Sequence, residues 1–105
     1  MRFSVRISRT VQDTIASWMR PPWGLSRALV IAIYNRLLSD LPAAPDALLG
    51  ERIVPLKAQI YAFNLEDDRA IPRLIRFAFA VTRDDSTRVL SVAIARMTIE
   101  DSGLN

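Results

Sequence analysis

The side chains in this sequence that could do chemistry are mainly arginines. Thirteen of the 14 basic residues are arginine, Lys57 is the single lysine, and the formal net charge is +3. Arginine makes planar, bidentate contacts with phosphate and carboxylate groups, so this composition suits a nucleic acid or an acidic protein as partner. The alternative is that the arginine bias reflects a GC-rich genome, since charge alone does not specify function.

The composition excludes several common kinds of site. The chain contains no cysteine and no histidine. A disulfide framework and a cysteine-based metal site are therefore absent, and so is the residue that most often serves as metal ligand or as general base near neutral pH. Any catalysis must run on arginine, lysine, carboxylates or hydroxyls. We predict that the protein uses neither a metal nor a cofactor.

The length allows one domain with one hydrophobic core. Half of the 105 residues are hydrophobic, so we predict a single domain that spans residues 1–105. The N-terminal segment MRFSVRIS has no long apolar run, and polar residues interrupt the longest hydrophobic stretch, Ala28 to Leu41. We therefore expect no secretory signal, no membrane span and a cytoplasmic location.

The segment from Arg73 to Met97 predicts two strands joined by a tight polar turn. Apolar and smaller side chains alternate along both strands, and the turn Asp84-Asp85-Ser86 is rich in residues that bond their own backbone. One face of the two strands is bulky and predicted to be core, with Ile75, Phe77, Phe79, Val81, Leu90, Val92 and Ile94. The other face is open to solvent or shaped to receive a partner, with Arg76, Ala78, Ala80, Ser91, Ala93 and Ala95.

Four further elements precede this pair of strands. Residues 2–8 alternate as a strand, and the sequence from Thr10 to Asp13 resembles a capping box that begins a helix before Pro21-Pro22. A second helix is predicted from Leu25 to Leu41, and another strand from Leu56 to Glu66. The apolar residues of the second helix cover roughly 200° of its circumference, which is wider than packing on one sheet needs. That arc is either core or a contact with another chain.

The predicted order is therefore β-α-α-β-β-β in an α+β fold. We expect a four-stranded, mainly antiparallel sheet with both helices packed on its bulky face. Residues 42–52 are predicted as a loop with a short helical turn at residues 46–49 that Gly50 closes. Residues 66–72 are predicted as a charged hairpin loop, and the tail from Thr98 as frayed. The face without helices is expected to carry Arg6 and Arg76 among small residues.

This order resembles the RelE/ParE superfamily of toxins from type II toxin–antitoxin modules. The resemblance is carried by the run Arg76-Phe77-Ala78-Phe79-Ala80-Val81, the acidic turn Asp84-Asp85 and the final strand Val89-Leu90-Ser91-Val92. The opening F-S-V-R-I-S and the helix that ends in Trp18 are also similar to the start of such toxins. The pattern covers most of the chain and is strongest from Tyr61 to Val92.

The resemblance implies a ribosome-dependent mRNA endonuclease that works without metal. In this branch of the superfamily the ribose 2′-OH attacks, which requires a base, positive charge on the phosphate and an acid for the leaving oxygen. Arg76 is then implied to stabilise the phosphate, helped by Arg6 or Arg96, with Arg6, Lys57 and Arg88 as nucleic-acid contacts. The alternation places Arg96 on the core side unless a β-bulge shifts it.

Other positions depart from the pattern of the RNA-cleaving branch and leave open whether the chain is an enzyme. The basic residues of the preceding strand fall near Ala62 and Asn64, the usual Gly-Lys-Arg or Gly-His-Arg is Ala93-Ile94-Ala95-Arg96, and the C-terminal Tyr or His is missing. These departures favour two alternatives, a ParE-like inhibitor of DNA gyrase and a non-catalytic interaction module of the same fold. The partners implied are a cognate antitoxin, mRNA on the ribosome or gyrase, with a homodimer through the second helix as a further use of its apolar arc.

Overall fold

A twisted sheet covered on one face by helices organises residues 2–67 and 73–100, which the computed structural model describes. In this part of the chain the sheet has five strands, in the order β1-β5-β4-β3-β2. β1 runs parallel to β5, and the other neighbouring pairs are antiparallel. The strands are β1 (Ser4–Ile7), β2 (Arg52–Ile53), β3 (Ala58–Asp67), β4 (Arg73–Asp84) and β5 (Val89–Glu100). The predicted mainly antiparallel sheet is confirmed, with the two-residue β2 added beside β3.

The predicted helices are both present, with corrected ends. The first, α1 (Arg9–Ser17), begins two residues earlier than a capping box from Thr10 predicts, because the chain leaves β1 at Ile7. Ser8 is its N-cap, and the Ser8 side-chain oxygen accepts a hydrogen bond from the Val11 backbone N–H at 3.1 Å. Thr10 lies inside the helix, where its carbonyl accepts a bond from the Thr14 hydroxyl. A side-chain oxygen at the N-cap satisfies a donor that has no partner within the helix.

The second predicted helix is observed as three consecutive helical segments: α2 (Arg27–Asn35), a π-helical turn (Arg36–Asp40) and α3 (Leu41–Ala43). Every fourth residue along it is buried, namely Leu29, Ile33, Leu37 and Leu41. A short helix, α4 (Pro45–Leu48), follows and confirms the helical turn predicted at residues 46–49 within the loop. Among the helices of the described residues, none is long and apolar enough to cross a bilayer.

The core lies between the helices and one face of the sheet. Ile75, Phe77, Phe79 and Val81 are at most 1% exposed, which confirms the predicted buried face of β4. Trp18 at the end of α1 packs against Phe77, with 5.5 Å between the ring centroids. Burying a large apolar side chain contributes about 1.5–3 kcal/mol, so this layer accounts for much of the attachment of α1 to the sheet.

A β-bulge in β5 changes which residues face the core. Val92 pairs with Val81, but the preceding residue of β4, Ala80, pairs with Ile94, so Ala93 is an extra residue in the ladder. Before the bulge the even-numbered residues of β5 face the core, and after it the odd-numbered residues do. Ile94 is 47% exposed, whereas Ala95, predicted on the small face, packs against the core together with Met97 and Ile99. The predicted core position of Ile94 is therefore wrong.

The turn between β4 and β5 matches the prediction. One carboxylate oxygen of Asp84 accepts hydrogen bonds from the Ser86 hydroxyl at 2.7 Å, the Ser86 N–H at 3.0 Å and the Thr87 N–H at 3.2 Å. These bonds, with that from the Ser86 hydroxyl the largest, hold the pKa of Asp84 below its ordinary value. The turn is closed by its own first residue, as an Asx turn requires.

The strand ends extend further than predicted. β5 continues to Glu100, because Thr98 pairs with Arg76 and Ile99 pairs with Ile75, so a tail frayed from Thr98 is wrong for residues 98–100. Asp67 belongs to β3 and not to the predicted hairpin loop. Its side chain is buried and accepts a hydrogen bond from Arg73 at 2.8 Å. The remainder of the predicted loop, residues 68–72, and the tail residues 101–105 lie outside the described residues.

Candidate functional site

The sheet face opposite the helices, here called the open face, carries the arginines predicted to act in function. The cross-strand pairing of β3, β4 and β5 places its side chains in rows. From one end of the open face to the other, the rows are Asn64–Arg76–Thr98, Ala62–Ala78–Arg96, Ile60–Ala80–Ile94 and Thr82–Ser91, and Arg6 of β1 pairs with Ser91 in the last row. Alanine side chains therefore lie beside Arg96, and the row between Arg96 and Arg6 contains the larger apolar residues Ile60 and Ile94.

Arg76 and Arg96 are brought together on this face. Arg96 pairs with Ala78 and Arg76 pairs with Thr98, so the two arginines are diagonal neighbours on adjacent strands. Diagonal neighbours in an antiparallel pair have Cα atoms about 7–8 Å apart, within reach of long side chains that converge on one group. Both are exposed, and within residues 2–67 and 73–100 neither forms an ion pair with a carboxylate.

The bulge at Ala93 is the reason that Arg76 and Arg96 lie on the same face of the sheet. The regular alternation of the sequence places Arg96 on the core side with Ile94, whereas the extra residue moves both to the open face. The condition attached to Arg96 in the sequence analysis is thus met. An arginine on the core side would have to be buried beside Phe77 and Phe79, at a high desolvation cost.

The neighbours of the arginine pair can bind phosphate but cannot transfer a proton near neutral pH. Arg76 lies between Asn64 and Thr98, and Arg96 lies next to Ala78. An amide and a hydroxyl can donate hydrogen bonds to phosphate oxygens, but neither titrates near neutral pH.

The two tyrosines do not supply the missing group. Tyr61 faces the core, where its hydroxyl lies 3.4 Å from the Arg36 carbonyl oxygen. Burial raises the pKa of Tyr61 and also that of Tyr34, so both phenols stay protonated at neutral pH. In the part of the chain that the structure describes, no cluster of carboxylates could hold a metal ion either.

An apolar groove borders Arg96 on the open face. It has a volume of about 200 Å³, and its wall is formed by β2 and the 3-10 turn at Val54–Leu56. The side chains that line this open-face groove are Ile53, Leu56, Ile60, Ala80 and Ile94, next to Arg96. Sequence reasoning missed it because the predicted loop ended at Arg52 and residues 53–55 were assigned to no element. The apolar cluster Ile53-Val54-Pro55-Leu56 was the available signal.

The predicted nucleic-acid contacts do not form one site with the arginine pair. Arg6 is on the open face, but its row lies four residues along β4 from that of Arg96, which corresponds to about 14 Å. Lys57 precedes β3 in a left-handed conformation, with φ 51°, and lies on the helix side of the sheet. Arg88 is in the β4–β5 turn, also with positive φ, and its guanidinium lies 5.7 Å from the centroid of the Phe3 ring.

A second concavity lies on the other side of the sheet and contains Lys57. This helix-side cleft has a volume of about 470 Å³ and is lined by Arg52, Val54, Lys57, Gln59, Val81, Arg83 and Asp85. Arg83 is held in it by Asp85 at 2.7 Å and by Asp46 at 2.5 Å, and its guanidinium stacks over the Phe3 ring. The hydrogen bond to Asp85, followed by that to Asp46, raises the pKa of Arg83 above its ordinary value.

Part of the apolar arc of the second helix is exposed. Ile31 and Leu38 are 52% and 46% exposed, and their spacing of seven residues places them on one side of the helix. The rest of the arc packs in the core, which is one of the two interpretations of the arc given by the sequence.

Comparison with known proteins supports the fold. No protein-family model and no curated protein matches the chain. A solved structure that does match is a chain from the crystal structure of the toxin–antitoxin complex RelBE2 from Mycobacterium tuberculosis. The TM-score is 0.62 with 12% sequence identity, and the match covers 93% of this chain and 100% of that chain. The predicted RelE-type fold is therefore confirmed. At this identity the likeness concerns the fold alone.

Proposed function

We propose that this chain is the toxin component of a toxin–antitoxin module and acts in the cytoplasm on mRNA bound to the ribosome, as a metal-independent endoribonuclease. The observation that carries the proposal is the pairing of Arg76 and Arg96 on the open face, brought about by the bulge at Ala93. The RelE-type fold supports the same class of protein.

The arginine pair is suited to a phosphate that gains negative charge during attack by the neighbouring 2′-OH. Two guanidinium groups can approach the nonbridging oxygens from adjacent strands, and an arginine fork makes two parallel hydrogen bonds to such a group. Hydrogen bonds to charged groups contribute about 1.5–3 kcal/mol, so loss of one arginine should slow cleavage by about 10-fold to 100-fold.

Proton transfer is the part of the reaction that the pair does not supply. Asn64 and Thr98 beside Arg76 cannot accept the proton of the 2′-OH near neutral pH. The proposal therefore assigns charge stabilisation to this chain and proton transfer to water or to groups of the ribosome. Cleavage by the protein alone on free RNA is expected to be very slow.

Cleavage of end-labelled mRNA on programmed ribosomes tests this proposal. Arg76→Ala and Arg96→Ala should each reduce the rate at least 10-fold, whereas the control Arg20→Ala should leave it unchanged. Arg20 is exposed and lies in the connection between α1 and α2, away from the open face. Intact mRNA with the unchanged protein, or equal rates for Arg76→Ala and the parent, would contradict the proposal.

Among residues 2–67 and 73–100, the strand neighbours of the arginine pair include no proton-transfer group, which favours a second candidate function. A toxin of the ParE type inhibits DNA gyrase by binding and needs no such group. A supercoiling assay with purified gyrase decides between the two, since inhibition together with intact mRNA would identify this candidate. Unimpaired growth of a bacterium that expresses the chain alone would count against both toxins and leave a non-catalytic interaction module of the same fold.

The open-face groove beside Arg96 offers a contact for the proposed antitoxin. Its apolar lining and the two arginines suit a segment that carries apolar side chains next to carboxylates. Coexpression with the product of the neighbouring reading frame should relieve growth inhibition by the parent chain but not by Ile94→Glu. The matched control is Met19→Glu in the connection between α1 and α2, which is exposed to a similar degree and lies outside the groove lining. Equal relief of both variants would exclude this groove.

A further inference from the structure

We propose that the helix-side cleft is a second phosphate-binding site and takes the sugar–phosphate backbone of RNA. It is separate from the arginine pair, because its lining residues lie on the face of the sheet that carries the helices. The inference goes beyond the proposed function and does not depend on cleavage.

Three cationic side chains from three segments of the chain converge on the cleft. Arg52 of β2 pairs with Gln59 of β3, and Gln59 pairs with Val81 of β4, so these residues form one row across the three strands. Arg83 follows two residues later on β4, and Lys57 precedes Gln59 by two residues. Lys57 and Arg83 therefore lie at the next row, at the same end of the sheet.

Of the three cationic side chains in the cleft, Arg83 is paired with carboxylates, whereas Arg52 and Lys57 are not. Asp46 and Asp85 neutralise Arg83 and hold it in position, which leaves part of its N–H donors for a ligand. Arg52 and Lys57 are exposed, and neither has an ion-pair partner within residues 2–67 and 73–100. A single carboxylate is satisfied by one arginine fork, whereas the two uncompensated cations, Arg52 and Lys57, beside the held Arg83 suit a group with more than one negative charge.

The backbone conformation of Lys57 is a second, independent observation. A residue other than glycine is strained at φ 51° and ψ 37°, and strained residues of this kind are concentrated at ligand sites. Lys57 lies at the end of the 3-10 turn Val54–Leu56, where the chain turns back into β3. The strained position is on the rim of the cleft, which is where a cation would meet a passing phosphate backbone.

The chemistry of the cleft favours a phosphate backbone over a base. Its lining residues include no aromatic side chain, so it has no platform on which a base could stack. Binding should therefore be independent of RNA sequence and strongly dependent on salt. Free polyphosphate offers the same charged groups without the ribose chain, and it serves as the comparison ligand.

Binding of a short fluorescein-labelled oligouridine, followed by fluorescence anisotropy, tests the inference. The double variant Arg52→Gln/Lys57→Gly should bind at least 10-fold more weakly than the parent. The slope of log affinity against log salt should fall by about 1.4, because two phosphate contacts are lost. Arg20→Gln is the control, since it removes another exposed arginine in the α1–α2 connection, outside the cleft lining. Equal affinities for the double variant and this control would overturn the inference.

Two further measurements complete the test. One distinguishes RNA from free polyphosphate as the ligand, and the other distinguishes the cleft from the open face as the binding site. Tripolyphosphate should bind the parent much more weakly than the oligouridine does, and affinities that are equal would overturn the assignment to RNA. The pair Arg76→Ala/Arg96→Ala reports on the open face alone. If that variant binds oligouridine like the parent while the cleft variant does not, binding of free RNA belongs to the cleft, and the role of the arginine pair is decided by the cleavage assay alone.

Discussion

Replacing Lys57 by glycine is expected to stabilise the protein while weakening phosphate binding. The lysine occupies a left-handed conformation with φ 51°. For a residue with a Cβ atom this conformation costs about 1–2 kcal/mol, which glycine does not incur. Glycine in turn loses about 0.5–1 kcal/mol more on folding, because its unfolded chain has more freedom. The difference predicts a net gain of about 0.5–1 kcal/mol for Lys57→Gly.

Two matched variants isolate the cause of that gain. Lys57→Ala removes the same charge but keeps a Cβ atom in the strained conformation, so its stability should stay within about 0.5 kcal/mol of the parent. Arg88→Gly relieves a similar conformation, with φ 55°, but also removes the guanidinium beside the Phe3 ring. A cation–π contact contributes about 0.5–1 kcal/mol at an exposed site, so we expect little net change for Arg88→Gly.

Thermal unfolding followed by circular dichroism measures these differences. A gain of about 0.5–1 kcal/mol should raise the midpoint of Lys57→Gly by about 2–8 °C in a domain of this size. Both Lys57 variants should lose oligouridine affinity to the same extent, because they remove the same charge. A midpoint for Lys57→Gly at or below that of Lys57→Ala would refute the reasoning about backbone strain.

Three further predictions concern stability and association. Arg73→Met should cost about 3 kcal/mol, because it removes the ion pair that Arg73 forms with the buried carboxylate of Asp67 at 2.8 Å; a urea midpoint close to the parent's would contradict this. Because folding lowers the pKa of Asp84, its carboxylate stabilises the folded state at pH values above the ordinary pKa of aspartate. This stabilisation is lost as the pH falls through the lower pKa of the folded state. Acidification should therefore lower the melting temperature of Asp84→Ala less than that of the parent, and parallel curves would argue against it. We also propose that exposed Ile31 and Leu38 mediate a homodimer, so Ile31→Glu/Leu38→Glu should sediment as a monomer where the parent sediments as a dimer; a monomeric parent at high concentration would exclude this.

The local pattern of the sequence was sufficient for most of the fold. The alternation from Ile75 to Val81 predicted one buried face of β4, and the structure buries those residues. The polar turn at Asp84 was predicted from the residues that close it. The two helices were predicted from their apolar spacing, although the N-cap of α1 proved to be Ser8. These features depend on neighbours within a few positions, so the sequence carries them directly.

The candidate sites depended on longer-range pairing. The run around Ala93 consists of residues that fit either face of a strand, so its alternation alone predicted Ile94 in the core and Arg96 beside it. Only the pairing of β5 with β4 identifies Ala93 as the extra residue. The two residues of β2 were likewise too few to show a period, and they form a strand because β3 supplies the partner.

The sequence by itself determined that this protein is an α+β domain with arginine as its main resource for chemistry and with Arg76 on the uncovered face of a sheet. Tertiary structure alone decided that Arg96 joins Arg76 and that Lys57 joins Arg52 and Arg83 on the opposite side. The physical reason is that side-chain alternation has a period of two, so one inserted residue exchanges the faces of everything that follows. Whether a residue is inserted is set by the partner strand, which lies elsewhere in the chain.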